Sequence, residues 1–281
     1  MQKAIKRFFP IFVLPTFIIF IIAFIIPFIS GIFLSFTEFT TVTNAKWVGL
    51  SNYIKAFASK DELLYSLWFT IKFMLFSVIS VNVVAFIFSL FLTRGLKGTN
   101  IFRTAFFMPN LIGGIILGYI WQLIFNGILR NIPATLTTDP KYGFWGLVIL
   151  TNWQMIGYMM VIYIAAIQNI PRETLDAAEV DGASPLKMLL KIKIPFVMPA
   201  IGICTFLTMT NSFKLFDQNL ALTNGAPSKQ TEMLALNIFN TFYGRNGYEG
   251  VGQAKAVIFS LLVGFVALLQ LKLTSSKEKD I

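Results

Sequence analysis

Thr151, Gln154 and Tyr158 stand at i, i+3 and i+7, a spacing that places all three on one face if the segment is helical. Asn152 and Trp153 lie beside them. Thr205, Thr208 and Ser212, with Asn211 adjacent, form a comparable face further along. Hydroxyl, amide and phenol groups offer hydrogen bonds without charge, and aromatic rings pack against the C–H faces of sugars. The same groups serve equally well as hydrogen bonds between packed helices, so residue types alone leave both readings open. Lys214 and Asp217, three apart, can pair across one helical turn, either as a structural ion pair or as part of a polar path.

Catalysis has little to work with. The chain has no His and one Cys, which removes the commonest metal ligand and acid–base group and excludes an internal disulfide. Neither a metal site nor a zinc centre is expected. No G-x-x-x-x-G-K-[ST] run is present, so no phosphate-cradling loop is expected. An enzyme is not expected.

The elements that position these residues are membrane spans. Of 281 residues, 56% are hydrophobic and only 13% charged, and the mean hydropathy is +0.72, outside the range of soluble domains. Six spans are predicted, at about 8–36, 63–93, 104–128, 142–170, 195–217 and 255–272, within a single domain covering 1–281. The first begins thirty uncharged residues from Phe8 to Thr37 after Lys3, Lys6 and Arg7, too long for the apolar core of a cleaved leader. Pro15 and Pro27 are expected to bend it. Lys72 in the second span is expected to snorkel, and Asn82 to hydrogen-bond to another helix. Gly114 and Gly118 make a G-x-x-x-G that lets helices pack closely in lipid. The last span has only sixteen uncharged residues, Ala256 to Leu271, so its flanking lysines are expected to snorkel.

The net charge of +10 is gathered at span ends rather than in a nucleic-acid patch. With six spans, thirteen of the 23 basic residues fall on the side of the termini and eight on the other, although the latter loops are longer. The positive-inside rule places both termini in the cytoplasm.

Between the fourth and fifth spans lies the longest charged island, 171–194. Thr174 to Val180 reads as a short helix closed by Asp181-Gly182, because Gly accepts the left-handed conformation. Ser184-Pro185 restarts a helix, and Pro195 is expected to open the fifth span. The run D-A-A-x-x-D-G-A from Asp176 to Ala183, followed by Ile192-x-Ile194-Pro195 and Pro199, resembles the EAA signature of ABC-importer permease subunits. Asp176, Leu189 and Ile194 replace the family's usual Glu, Phe and Leu but keep charge or apolarity.

The resemblance extends over almost the whole chain. V-G-L-S-N-Y at Val48–Tyr53, R-T-A-F-F-M-P at Arg103–Pro109, Q-N-I-P at Gln168–Pro171, F-K-L-F-D at Phe213–Asp217 and L-T-N-G-A-P at Leu222–Pro227 are each similar to runs of binding-protein-dependent sugar permeases of the maltose and glycerol-phosphate type. Ala226 departs from the second Gly of the last run. The aromatic residues of the first loop fit an anchor in the membrane interface.

This resemblance implies an all-α integral membrane protein of the type I ABC importer permease class, with six transmembrane helices and a cytoplasmic coupling helix. It implies coupling to an ATPase through Asp176, Ala177, Ala178, Asp181, Gly182 and Ala183, and a carbohydrate pathway past Thr151, Gln154, Tyr158, Thr208, Asn211 and Ser212. It further implies a second, related permease, two cytoplasmic ATPase subunits that hold ATP and Mg, and an extracytoplasmic solute-binding protein. The setting it implies is a bacterial cytoplasmic membrane. The alternative from a different class is a stand-alone secondary carrier or channel using Asp217, the only acidic candidate expected inside a span, for ion coupling.

Overall fold

The computed structural model describes residues 2–58, 62–95, 97–132 and 134–278. In chain order the helices are α1 (Gln2–Phe20), α2 (Ile26–Leu34), α3 (Ser51–Ala56), α4 (Leu63–Leu92), α5 (Thr99–Phe107), α6 (Gly114–Ile128), α7 (Pro140–Gln168), α8 (Arg172–Val180), α9 (Pro185–Met188), α10 (Ile194–Phe213), α11 (Asp217–Leu222), α12 (Leu234–Gly244) and α13 (Glu249–Glu278). A two-stranded antiparallel ribbon, β1 (Thr37–Glu38) and β2 (Lys46–Trp47), precedes α3, with Thr37 opposite Trp47 and Glu38 opposite Lys46. The side chains of Lys3, Lys6, Arg7, Lys60, Lys277 and Lys279, which enter the expected charge bias, lie outside the described residues.

Packing divides the chain into two compact units, Met1–Leu63 with Asn237–Leu261, and Leu64–Leu236 with Leu262–Ile281. In the first, Asn52 donates to the carbonyls of Ser35 (3.0 Å) and Thr37 (2.8 Å), tying α3 to the end of α2. A Cβ on Gly250 would run into Thr37 O and Asn52 Nδ2, so only glycine permits this approach of α13. The second unit is organised around α7. Its face Met155, Met159, Met160, Tyr163 and Ile164 packs with Val81 and Ala85 of α4 and Val197 and Cys204 of α10. Gly157 comes so close to the Phe106 carbonyl that no side chain fits.

Among the described residues, five helical stretches are long and apolar enough to cross a membrane: Ile11–Leu34, Leu63–Leu92, Pro140–Gln168, Pro185–Phe213 and Glu249–Lys272. The third expected span is not one rod. Thr99–Leu111 and Gly114–Asn131 meet at a 103° bend. Pro109 supplies no amide, the backbone passes through a tight turn at Met108–Leu111, and Ile112 is extended. Counting this bent pair as one span gives six.

The fifth span starts earlier than expected. Rather than opening at Pro195, the helix runs on from Pro185 through a widened π turn, Leu189–Lys193, into α10. The ring of Pro195 would clash with the carbonyl four residues back in a regular α-helix, and the wider turn accommodates it. Ile21–Ile25 repeats this device ahead of Pro27. The span also ends earlier, at Phe213, and a new helix begins at Asp217. Lys214 and Asp217 therefore do not stand one helical turn apart, and Asp217 lies beyond the end of the long apolar helix.

In the last span, Lys255 does not snorkel. It is fully buried, and its Nζ donates to Asn237 Oδ1 at 2.9 Å and Thr241 Oγ1 at 2.8 Å. Two polar groups on α12, four residues apart, satisfy the ammonium where the apolar pattern of α13 suggested an exposed end. Lys72 is half-buried with its Nζ 6.0 Å from the centre of the Phe69 ring. Asn82 does bridge helices: its amide donates to Thr208 Oγ1 (3.3 Å), and its carbonyl accepts from the Tyr163 hydroxyl (2.7 Å).

Candidate functional site

The breaks in two helices create a polar cleft. The turn Met108–Leu111 brings Asn110 to it, the interruption after α10 brings Lys214 and Asp217, and α7 forms the facing wall with Thr151, Gln154 and Tyr158. The cleft has a volume of about 330 Å³. Close packing holds its rim. A Cβ on Gly114 would lie 2.7 Å from Asp217 Cβ, and one on Gly118 would lie 2.6 Å from Ala221 Cβ, so the G-x-x-x-G seats α6 directly on α11. Gln218 of α11 then donates to Gln154 Oε1 at 2.8 Å, while Gln154 Nε2 reaches the Ile112 carbonyl at 3.4 Å. Asn219 anchors the following loop by donating to Thr231 O (2.8 Å) and accepting from the Met233 amide (2.9 Å).

The residues expected to form a pathway separate into two groups. Thr151, Gln154, Tyr158 and Asn211 line the cleft together. Thr208 and Ser212 do not line it. Both are fully buried and bond back to their own helix, Thr208 to Cys204 O and Ser212 to Thr208 O, each at 2.8 Å. Asn211 lies between them on a different face, which is why it alone of the three reaches the opening. Neighbouring Asn152 packs α7 on α4 by donating to Ser80 Oγ at 2.9 Å.

Thr151 is unusual among these groups. Its side chain is fully buried, lines the cleft, and its hydroxyl has no hydrogen-bond partner. An unpaired buried hydroxyl costs free energy unless something else supplies a partner. Asn110 and Gln218 also line the cleft but were not expected from the sequence. The signal for Asn110 was present, because Pro109 and the Gly113-Gly114 pair mark a break. Gln218 enters only because the chain restarts a helix at Asp217. Among the described residues, no group of three or more His, Cys, Asp or Glu stands together as a metal site would require.

The charged island is a second, separate feature. α8 ends in a Schellman arrangement: Gly182 N–H donates to Glu179 O (3.0 Å) and Ala183 N–H to Ala178 O (2.9 Å). Gly182 takes the left-handed conformation, φ +72°, with open space around its missing Cβ. Ser184 then caps α9 by accepting from the Lys187 amide at 3.3 Å, with Pro185 at the first helical position. Asp176, Ala177, Asp181 and Gly182 are exposed, Ala183 is half-buried and Ala178 is buried. Val180 and Leu186 are 88% and 65% exposed, so the island presents apolar as well as acidic groups at its surface.

Comparison with known proteins matches residues 85–277 to the family described as binding-protein-dependent transport system inner membrane component. The chain belongs to this family. It is 41% identical to a probable starch degradation products transport system permease protein of Thermoanaerobacterium thermosulfurigenes, over 96% of this chain and 94% of that protein. It is 27% identical to a multiple sugar-binding transport system permease protein of Streptococcus mutans, over 95% of each. Among solved structures, a chain of a bacterial alginate ABC transporter in complex with an alginate pentasaccharide-bound periplasmic protein superposes with a TM-score of 0.82, covering 99% of this chain and 98% of that one at 17% identity. At that identity the likeness speaks for the fold, the all-α type I ABC importer permease. This chain is therefore a multi-pass inner-membrane permease component of a binding-protein-dependent transport system, not an enzyme.

Proposed function

We propose that this permease carries a carbohydrate, drawing on ATP hydrolysis by partner subunits. The observation that carries the reading is the cleft, where one unpaired hydroxyl, four amide side chains and a tyrosine converge. Such groups can share several hydrogen bonds with a polyhydroxylated ligand and lay a ring against its C–H face. The sugar-related names of the relatives support the same cargo. Thr151, Gln154, Tyr158 and Asn211 would contact the passing sugar, while Thr208 and Ser212 would hold the wall behind them.

In this reading the surface of the island, with Asp176, Ala177, Asp181, Gly182 and Ala183, seats a cytoplasmic ATPase, and buried Ala178 lets α8 pack behind it. ATP and Mg would be held on that partner. A second permease completes the pathway, an extracytoplasmic binding protein delivers the sugar, and both termini lie in the cytoplasm. Purification of this chain in mild detergent with identification of co-purifying subunits tests the assembly. Recovery of an ATPase, a second six-span permease and sugar-stimulated ATP hydrolysis is the expected result. A chain that purifies alone and moves solute in liposomes without ATP would overturn the reading.

A further inference from the structure

The segment joining the first two spans carries a feature that transport does not require. Trp47, Leu50, Ile54 and Phe57 are 66%, 62%, 73% and 52% exposed. Leu50, Ile54 and Phe57 follow one another at the i, i+4, i+7 spacing of a helix face, on and beside the six-residue α3. They form a continuous outward ridge rather than scattered surface apolar residues.

The ridge is held rigidly. On its inner side α3 buries Asn52 and Ala56. The Asn52 amide reaches the Ser35 and Thr37 carbonyls, and the Tyr53 hydroxyl meets Ser35 Oγ at 2.7 Å. With these groups turned inward, the apolar residues are fixed facing out.

Its height is set as well. The Trp47 ring stacks on Phe36 at 5.5 Å and tilts against Phe33 at 6.0 Å. Phe33 lies in the last turn of α2, inside the apolar span Ile11–Leu34. Trp47 therefore stands level with the end of this apolar stretch, and Trp is enriched where hydrocarbon gives way to headgroups. Lys55 on α3 is exposed and has the long stem that lets an ammonium reach the headgroups while the helix lies lower. Lys46 faces Glu38 across the ribbon, so charge there is balanced.

We infer that α3 and Trp47 form an interfacial foot: a short helix lying in the membrane plane, with Leu50, Ile54 and Phe57 in the boundary between headgroups and acyl chains of the leaflet at the C-terminal end of the first span. A free six-residue helix would bind lipid weakly. This one is tethered at both ends by spans, so it needs no affinity of its own. The occupant of the ridge is lipid, not a partner protein.

The test uses nitroxide labels on the full chain with its co-purifying subunits in nanodiscs of phosphatidylcholine and phosphatidylglycerol. Ile54→Cys and Phe57→Cys report the ridge, and Thr43→Cys reports the polar turn Val42–Asn44, where it is exposed. The sole native cysteine, Cys204, is buried, so the unsubstituted chain supplies the background. The expected result is that oxygen relaxes the labels at Ile54→Cys and Phe57→Cys more than a water-soluble nickel chelate does, with the order reversed at Thr43→Cys. Chelate access at all three positions overturns the inference, because the ridge then faces water. Shielding of the ridge labels from both reagents overturns it too, because a protein then covers the ridge.

Discussion

Gly182 separates two ways in which a substitution at the island can act. Its φ of +72° is costly for an L-residue, yet a Cβ there meets nothing within 4 Å. Steric obstruction inside this chain, the intuitive reason to expect damage at such a turn, is absent. The remaining conformational cost is about 1–2 kcal/mol, and Asp and Asn are among the residues that visit this region most readily. Gly182→Asp and Gly182→Asn should therefore both insert and fold, with nearly equal loss of stability.

They differ in charge. The stretch Arg172–Asp181 already carries Glu173, Asp176, Glu179 and Asp181 against one Arg, and a fifth carboxylate would lie beside Asp181 on an exposed surface. If a partner docks there, burial of the added charge against a surface adapted to glycine costs several kcal/mol. Even about 2 kcal/mol weakens docking roughly thirtyfold. Co-purification of the ATPase and ATP-dependent uptake should therefore fall steeply in Gly182→Asp and much less in Gly182→Asn. Wild-type uptake and normal assembly in Gly182→Asp would refute a docking role for this turn. An equal loss in both variants would refute the charge argument and leave shape as the cause.

Three further outcomes follow from the geometry. Gly157→Ala should destabilise the chain by at least about 2 kcal/mol, because its Cβ would strike the Phe106 carbonyl, whereas Gly264→Ala, in open space on α13, should gain about 0.5–1 kcal/mol of helix propensity. Thermal unfolding in detergent reads both, and equal shifts would contradict the close approach of α5 to α7. Thr151→Val should leave stability unchanged or about 1 kcal/mol higher, since it removes a buried hydroxyl that has no partner, while lowering sugar-stimulated ATPase activity; unaltered stimulation removes Thr151 from the pathway. Tyr158→Ala should weaken the same stimulation without dissociating the complex, and an unchanged sugar response would assign Tyr158 to packing against Phe107, whose ring lies 6.3 Å away.

Much of this protein is legible in local chemistry. Long apolar runs can satisfy their backbone groups in lipid only as helices, so the class and the places of most long apolar helices follow from composition. Gly182, Ser184 and Pro185 act on their immediate neighbours, and the turn they predict is the turn observed. The spacing of Thr151, Gln154 and Tyr158 suffices to place them on one face, because helical periodicity is a property of the segment itself.

Tertiary structure decided the rest. Hydropathy does not distinguish a straight span from one bent by 103°, since both are equally apolar. Nor does it show that Lys255 is buried against Asn237 and Thr241, because its partners come from another helix. Thr208 and Ser212 have the same residue types as a pathway, yet the packing of α10 turns them inward and leaves Asn211 at the opening. The cleft exists only where two broken helices meet α7. Periodicity assigns a residue to a face of its own helix, but which faces meet, and which leave a gap, depends on contacts between segments distant in the chain.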